Sequence, residues 1–133
     1  MSCKSALYAA LQTPTAVAVN GVIPLGSLIR RYGCDISLNG NAVNLSGAGY
    51  YDVDVSITVA PTAAGTVTAT LAKDGVAIPG ATASAAAAAG APTVLSFPAL
   101  VRQACCAAGS ALTLVLTGTA ATVNNVALRV QRI

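Results

Sequence analysis

From Gly49 to Ala60 apolar and polar side chains alternate without interruption. Tyr51, Val53, Val55, Ile57 and Val59 fall on one side of an extended chain, and Tyr50, Asp52, Asp54, Ser56 and Thr58 on the other. A helix would scatter the five apolar groups around its circumference, and the β-branched and aromatic content suits a pleated, half-buried surface. The pattern predicts a long central strand. At about 3.3 Å per residue it would reach roughly 40 Å, enough to cross a small domain.

The same period recurs along the rest of the chain. Ser5 to Gln12 reads as a strand or a short helix, stopped by Thr13 and Pro14. Val17 and Val19 share a face, and Asn20-Gly21 predicts a hairpin turn into Val22 and Ile23, hence two short paired strands. Pro24 to Gly33 reads as a connection. Cys34, Ile36 and Leu38 alternate with Asp35 and Ser37, Asn39-Gly40 turns the chain, and Val43 and Leu45 lie on the return strand. After a turn over Pro61 to Gly65, Val67, Ala69 and Leu71 face inward and Thr66, Thr68 and Thr70 outward, and Lys73-Asp74-Gly75 marks a tight hairpin.

The following strand carries Ile78 but meets Pro79 and Gly80, which predicts a bulge or an edge position. Ala83 to Gly90 holds five consecutive alanines. A helix so short is marginal, so this run is expected to be strand fraying into a loop. Thr93 to Phe97 is a strand ended by Pro98, and Ala99 to Ser110 an irregular connection. Leu112, Leu114 and Leu116 form a further core strand, and after a Gly-Thr-Ala loop Val126, Leu128 and Val130 form the last. About eight to ten short strands with turn signals every 8 to 12 residues or so predict an all-β fold, an antiparallel jelly-roll β-sandwich. The 133 residues fit a single domain spanning 1–133, with 1–26 as an N-terminal arm or extra strands.

Composition sharpens the picture. Only 8% of residues are charged and 55% are hydrophobic, against about 25% charged in a typical globular chain. Every apolar run is punctuated by Gly, Pro, Asn or Thr, so no membrane span is expected. The excess apolar surface is expected to lie against other protein chains. The net charge of +3 is dispersed, with no basic run longer than Arg30-Arg31, which excludes a nucleic-acid footprint. The opening segment, MSCKSALYAALQTPT, lacks the core of a standard signal peptide, so cytosolic synthesis followed by assembly is expected.

Chemistry is sparse. The chain has no histidine and no glutamate, which removes the usual general bases and nucleophile partners. Asp52 and Asp54 share a strand face about 7 Å apart, a spacing that suits a Ca²⁺ ion or an acid/base pair, or simply a polar strand face. Arg30 and Arg31 suit an acidic partner or a pair with Asp35. Tyr32 and Tyr50 offer stacking surfaces, whereas Tyr51 belongs in the core. Cys3, Cys34, Cys105 and Cys106 lack metal-ligand spacing; Cys34 is expected as a small core hydrophobe, and the vicinal pair at a bend, reduced or disulfide-bonded. No cofactor, metal or catalytic residue is implied. Arg30, Arg31, Tyr32, Tyr50, Asp52, Asp54 and Arg102 make up the candidate interface or ligand surface.

In order along the chain, GYYDVDVSITVA, TVTATLAKDGVAIPGA, SALTLVL and VNNVALRVQRI resemble strands of the jelly-roll domain of the complement-component and tumour-necrosis-factor superfamily. The nearest flavour is the version that caps collagen-like glycoproteins on spore surfaces and bacteriophage fibres. Lys73, Gly75, Val76 and Ile78 match the strand end, turn glycine and hydrophobic pair of that pattern. The resemblance covers Ser27 to Ile133. It implies a homotrimer packed through an apolar sheet face, with Thr66, Thr68, Val115 and Ala127 partly buried between protomers. It also implies a non-enzymatic structural subunit of a virion or other extracellular surface lattice, such as a capsid decoration or head fibre. A receptor- or carbohydrate-binding adhesin module, using the loops near Tyr32, Tyr50 and Arg102, is the alternative. No Gly-X-Y repeat precedes the domain, and aromatics are only 4%.

Overall fold

The structure, a computed structural model, describes residues 5–103 and 109–133; Cys105 and Cys106 lie outside the described residues, as does Cys3. Eleven strands run in chain order: β1 (Ala6–Leu11), β2 (Thr15–Val17), β3 (Ser27–Tyr32), β4 (Ile36–Asn39), β5 (Ala42–Leu45), β6 (Gly49–Pro61), β7 (Gly65–Lys73), β8 (Val76–Ala87), β9 (Thr93–Gln103), β10 (Ser110–Gly118) and β11 (Ala121–Arg132). They form two antiparallel sheets. One has the order β3-β1-β11-β6-β9, with β2 added alongside β11, and the other the order β4-β5-β10-β7-β8. This is a jelly-roll sandwich. No helix among the described residues is long and apolar enough to cross a membrane.

β6 is the central strand. Tyr51, Val53, Val55, Ile57 and Val59 are all fully buried, facing Leu112, Leu114 and Leu116 of β10 and Val67, Ala69 and Leu71 of β7 across the sandwich. Inward residues of β11, Val123, Val126, Leu128 and Val130, continue the layer. The pairing of β11 with β6 slips between Val123 and Asn125. That extra residue keeps Val123 and Val126, three apart, on the same buried side. Burial of each such side chain stabilises the fold by about 1.5–3 kcal/mol.

Lys73 pairs with Val76 around a two-residue turn in which Asp74 (φ 52°) and Gly75 (φ 84°) both take positive φ, the type I′ geometry that fits strand twist. Asp74 also caps the neighbouring strand: its carboxylate accepts from the Ala111 N–H at 2.9 Å. β8 is an edge strand and its pairing with β7 slips between Thr70 and Ala72, as Pro79 and Gly80 led us to expect. The alanine run is strand through Ala87, held in register by β7.

Five expectations are overturned. Asn20 does turn with positive φ, but no hairpin forms: Val17 is buried beside β11, Val19 is exposed, and the chain crosses to the other sheet, where Asn20 and Ile23 donate to Leu116 and Leu114. Residues 27–32 are a strand and not a connection; every one is exposed, so no burial pattern announced it. β9 runs through Pro98 to Gln103, because β9 is an edge strand and no ladder bond is demanded of the missing N–H. The last strand begins at Ala121, earlier than its bulged pattern suggested. Cys34 is exposed and disulfide-bonded, so it is no core residue.

Candidate functional site

Strand parity and register assemble one surface, the outward face of the six-stranded sheet. Tyr8 of β1 lies opposite Arg30 on β3 and Arg129 on β11; Arg129 lies opposite Asp54 on β6, and Asp54 opposite Pro98 on β9. A second row runs Tyr32, Ala6, Gln131, Asp52 and Leu100, and a third Ser27, Ala10, Ala127, Ser56 and Ser96. Tyr50 and Arg102 pair at the end of β6 and β9. Three of the four tyrosines stand on this face, with Tyr8 40%, Tyr50 49% and Tyr32 70% exposed; the fourth, Tyr51, is in the core. Val94 and Leu100 add exposed aliphatic surface beside them.

Of the candidate residues named from sequence, six share this face. Arg30 and Tyr32 stand at its β3 margin, Asp52 and Asp54 near the middle, and Tyr50 and Arg102 toward the β9 margin. Tyr32 and the Tyr50/Arg102 pair are therefore three to four strands apart, roughly 14–19 Å. Arg31 is the exception. Alternation turns it to the other side, where its Nε donates to the Ile36 carbonyl at 2.7 Å. Sequence reasoning missed Tyr8 and Arg129, because only the register of β1, β11 and β6 brings them to the centre of the face.

The two aspartates do not form an open carboxylate pair. One guanidinium nitrogen of Arg129 lies 3.4 Å from Asp52 and 3.5 Å from Asp54. That arrangement satisfies the carboxylates with a cation already in the chain. Among the described residues no group of acidic or cysteine side chains is placed to hold a metal ion. Beside this triad lies a shallow depression of about 330 Å³ lined by Tyr8, Asp54, Ser56, Ser96, Ala127 and Arg129. A second, of about 470 Å³, lies between Tyr8, Tyr32, Arg30 and Arg129 toward the β3 margin.

The opposite face differs in kind. Thr66, Thr68 and Thr70 of β7, Thr82 and Ser84 of β8 and Thr117 of β10 cover the five-stranded sheet. Hydroxyl pairs join Thr68 to Ser84 at 2.9 Å and Thr70 to Thr82 at 3.1 Å. The residues expected from the resemblance to meet between protomers are split by this geometry. Thr66, Thr68 and Val115 project from one sheet and Ala127 from the other, so one interface through one sheet cannot hold all four.

A third cluster closes one end of the sandwich. Arg132 bonds both the Asp35 carboxylate and the Ala48 carbonyl, and the Asp35 and Arg132 side chains are only 13% and 17% exposed. Ser5 Oγ accepts from the N–H groups of Cys34 at 3.2 Å and Asp35 at 3.0 Å, and the Tyr51 hydroxyl donates to the Gly47 carbonyl at 2.6 Å. Burial, and then the Asp35 charge, push the Tyr51 phenol above its ordinary range, against a smaller opposing pull from Arg132. Asp35 is therefore the partner of Arg132 and not of Arg30 or Arg31. This cluster is a structural lock.

No family model matches the sequence, and no curated protein matches it significantly. Solved structures do share its fold. Murine APRIL superimposes with a TM-score of 0.73 at 12% identity, over 96% of this chain and 98% of that one. The globular domain of zebrafish complement 1qA protein gives 0.73 at 8% identity, over 96% of each chain. The PRD1 vertex protein P5 gives 0.64 at 13% identity, over 100% of this chain and 99% of that one. The chain thus shares the jelly-roll fold of these structures, and at these identities the likeness is one of fold.

Proposed function

We propose that the chain, folding as one unit, is a non-enzymatic structural subunit. It assembles as a homotrimer through the outward face of the six-stranded sheet and serves in a virion or other extracellular surface lattice. The observation that supports this is the segregation of side chains: every exposed tyrosine of the described chain, the exposed Val94 and Leu100 and three arginines share one face, while the other carries mainly hydroxyls, with Val22 exposed beside Val115. Tyrosine and arginine are the residues enriched where protein surfaces bind most strongly. The fold likeness to a vertex protein supports the lattice role. The protein exposes 6490 Å². Two contacts of about 800 Å² per protomer, one on each side in a ring, would cover roughly a quarter of that area.

Sedimentation velocity and native mass measurement test the reading. A trimer is expected at micromolar concentration. Ala127→Glu, in the centre of the tyrosine face, should dissociate it, and Thr117→Glu on the opposite face should not. A monomeric wild-type protein, or the reverse pattern of sensitivity, overturns the proposal.

A second reading is a carbohydrate-binding module. It is favoured by the 470 Å³ depression, where Tyr8 and Tyr32 could stack a sugar ring and Arg30 could bind an acidic substituent. Glycan-array binding lost in Tyr32→Ala would support it over the structural role.

A further inference from the structure

Resting on the trimeric reading above, we propose that Arg30 of each copy pairs with the Asp52 and Asp54 carboxylates of the next copy around the ring. The charge count within one chain leaves this contact open. Arg129 is one cation shared between two acids, so the triad keeps an excess negative charge. Arg30 makes no ion pair among the described residues, and it stands on the outward face at the β3 margin. Both groups lie in the same row across the sheet, Arg30, Tyr8, Arg129 and Asp54 in order. Three strand spacings separate Arg30 from Asp54, roughly 14 Å, which exceeds the span of one arginine side chain. The two cannot meet within a chain.

A rotational ring joins one patch on each copy to a different patch on its neighbour. A row with an unpaired cation at its margin and surplus negative charge toward its centre presents the two halves of such a contact. The surface also has room for it: the 330 Å³ depression has Asp54 on its lining, beside small Ser56, Ser96 and Ala127. A guanidinium entering there from a neighbouring copy would find a carboxylate, the ring of Tyr8 and no bulky obstruction. Water exclusion on assembly then makes the pair costly to break, and like charges at the same place costly to bring together.

Charge reversal in the full-length chain tests this. Arg30→Glu is expected to weaken trimer assembly at least tenfold, as is Asp54→Arg, by sedimentation equilibrium in low salt. The double variant Arg30→Glu/Asp54→Arg is expected to recover most of the loss. The two positions do not touch within one chain, so recovery reports a contact between copies. Far-ultraviolet circular dichroism of each variant checks that the sheets are intact. A wild-type trimer indifferent to Arg30→Glu, or not rescued in the double variant, overturns this pairing and leaves the trimer standing. A monomeric wild-type protein removes both.

Discussion

Arg132 is one residue from the end of the chain, yet its replacement is expected to cost more than that of most surface residues. Its guanidinium bonds Asp35, which sits in the connection before β4, and the Ala48 carbonyl, in the loop before β6. The space around that carboxylate is full: a Cβ on Gly47 would lie 2.5 Å from it. Arg132→Met keeps the aliphatic stem and removes the cation, leaving Asp35 charged and 87% shielded from water. Breaking a fully buried pair from one side costs about 3–5 kcal/mol, and the remaining exposure reduces this to about 2–4 kcal/mol. A chain of 133 residues has an unfolding entropy near 0.3 kcal/mol/K, so the midpoint should fall by about 7–14 °C. The assay is thermal and urea unfolding followed by circular dichroism, at one fixed protein concentration because any self-association would shift the apparent midpoint. Arg132→Met/Asp35→Ser should lose less than the two single variants added together, since no stranded charge remains. A loss below about 1 kcal/mol in Arg132→Met, or one abolished by 1 M salt, would show an ordinary solvated ion pair and refute the reasoning.

Other consequences are simpler to state. Because the folded-state phenol of Tyr51 is held above its unfolded value of 10.0, its contribution is fully present below pH 10. Stability should then fall as pH rises from 10 through the folded pKa, since the unfolded chain releases the proton first. Tyr51→Phe should flatten that decline in urea midpoints between pH 9 and 11, while costing about 1–2 kcal/mol at neutral pH through the stranded Gly47 carbonyl. Ile57→Ala, at a fully buried site in the middle of β6, should cost about 3–4 kcal/mol in chemical unfolding. Gly75→Val forces a β-branched residue to φ 84° in the β7–β8 turn and should cost at least about 1–2 kcal/mol, whereas Gly75→Asn should cost much less.

The strands legible in the sequence were those with one face in the core. β6, β7 and β10 alternate cleanly because each inward residue meets the opposing sheet, and the Asp74-Gly75 turn is written in residues that tolerate positive φ. β3 was not legible, since all six residues are exposed and only backbone pairing with β1 makes it a strand. Pro98 misled for a related reason: a proline signals a break only where the sheet needs its N–H, and at an edge it does not. The site divided along the same line. Tyr50, Asp52 and Asp54 could be placed from one strand's parity, but the company of Tyr8, Arg129 and Arg30 depends on three registers that no local pattern encodes.

Low charge bears on the proposed assembly for a reason other than the one it first suggests. The five-stranded sheet has almost no charge on its outward side, yet threonine and serine hydroxyls, paired with one another, give water something to bind there. Scarcity of ions therefore leaves that face wettable. The outward face of the six-stranded sheet holds nearly half of the chain's charged side chains and is still the better candidate for burial. Its tyrosines and aliphatics present large apolar area, and its charges are arranged in opposite signs along rows where a neighbouring copy could complete them. Spread over the whole surface, the same five charges would serve solubility. Gathered on one face beside three tyrosines, they would specify, in the proposed assembly, which surfaces meet and in what register, and a wrong docking would bring like charges together.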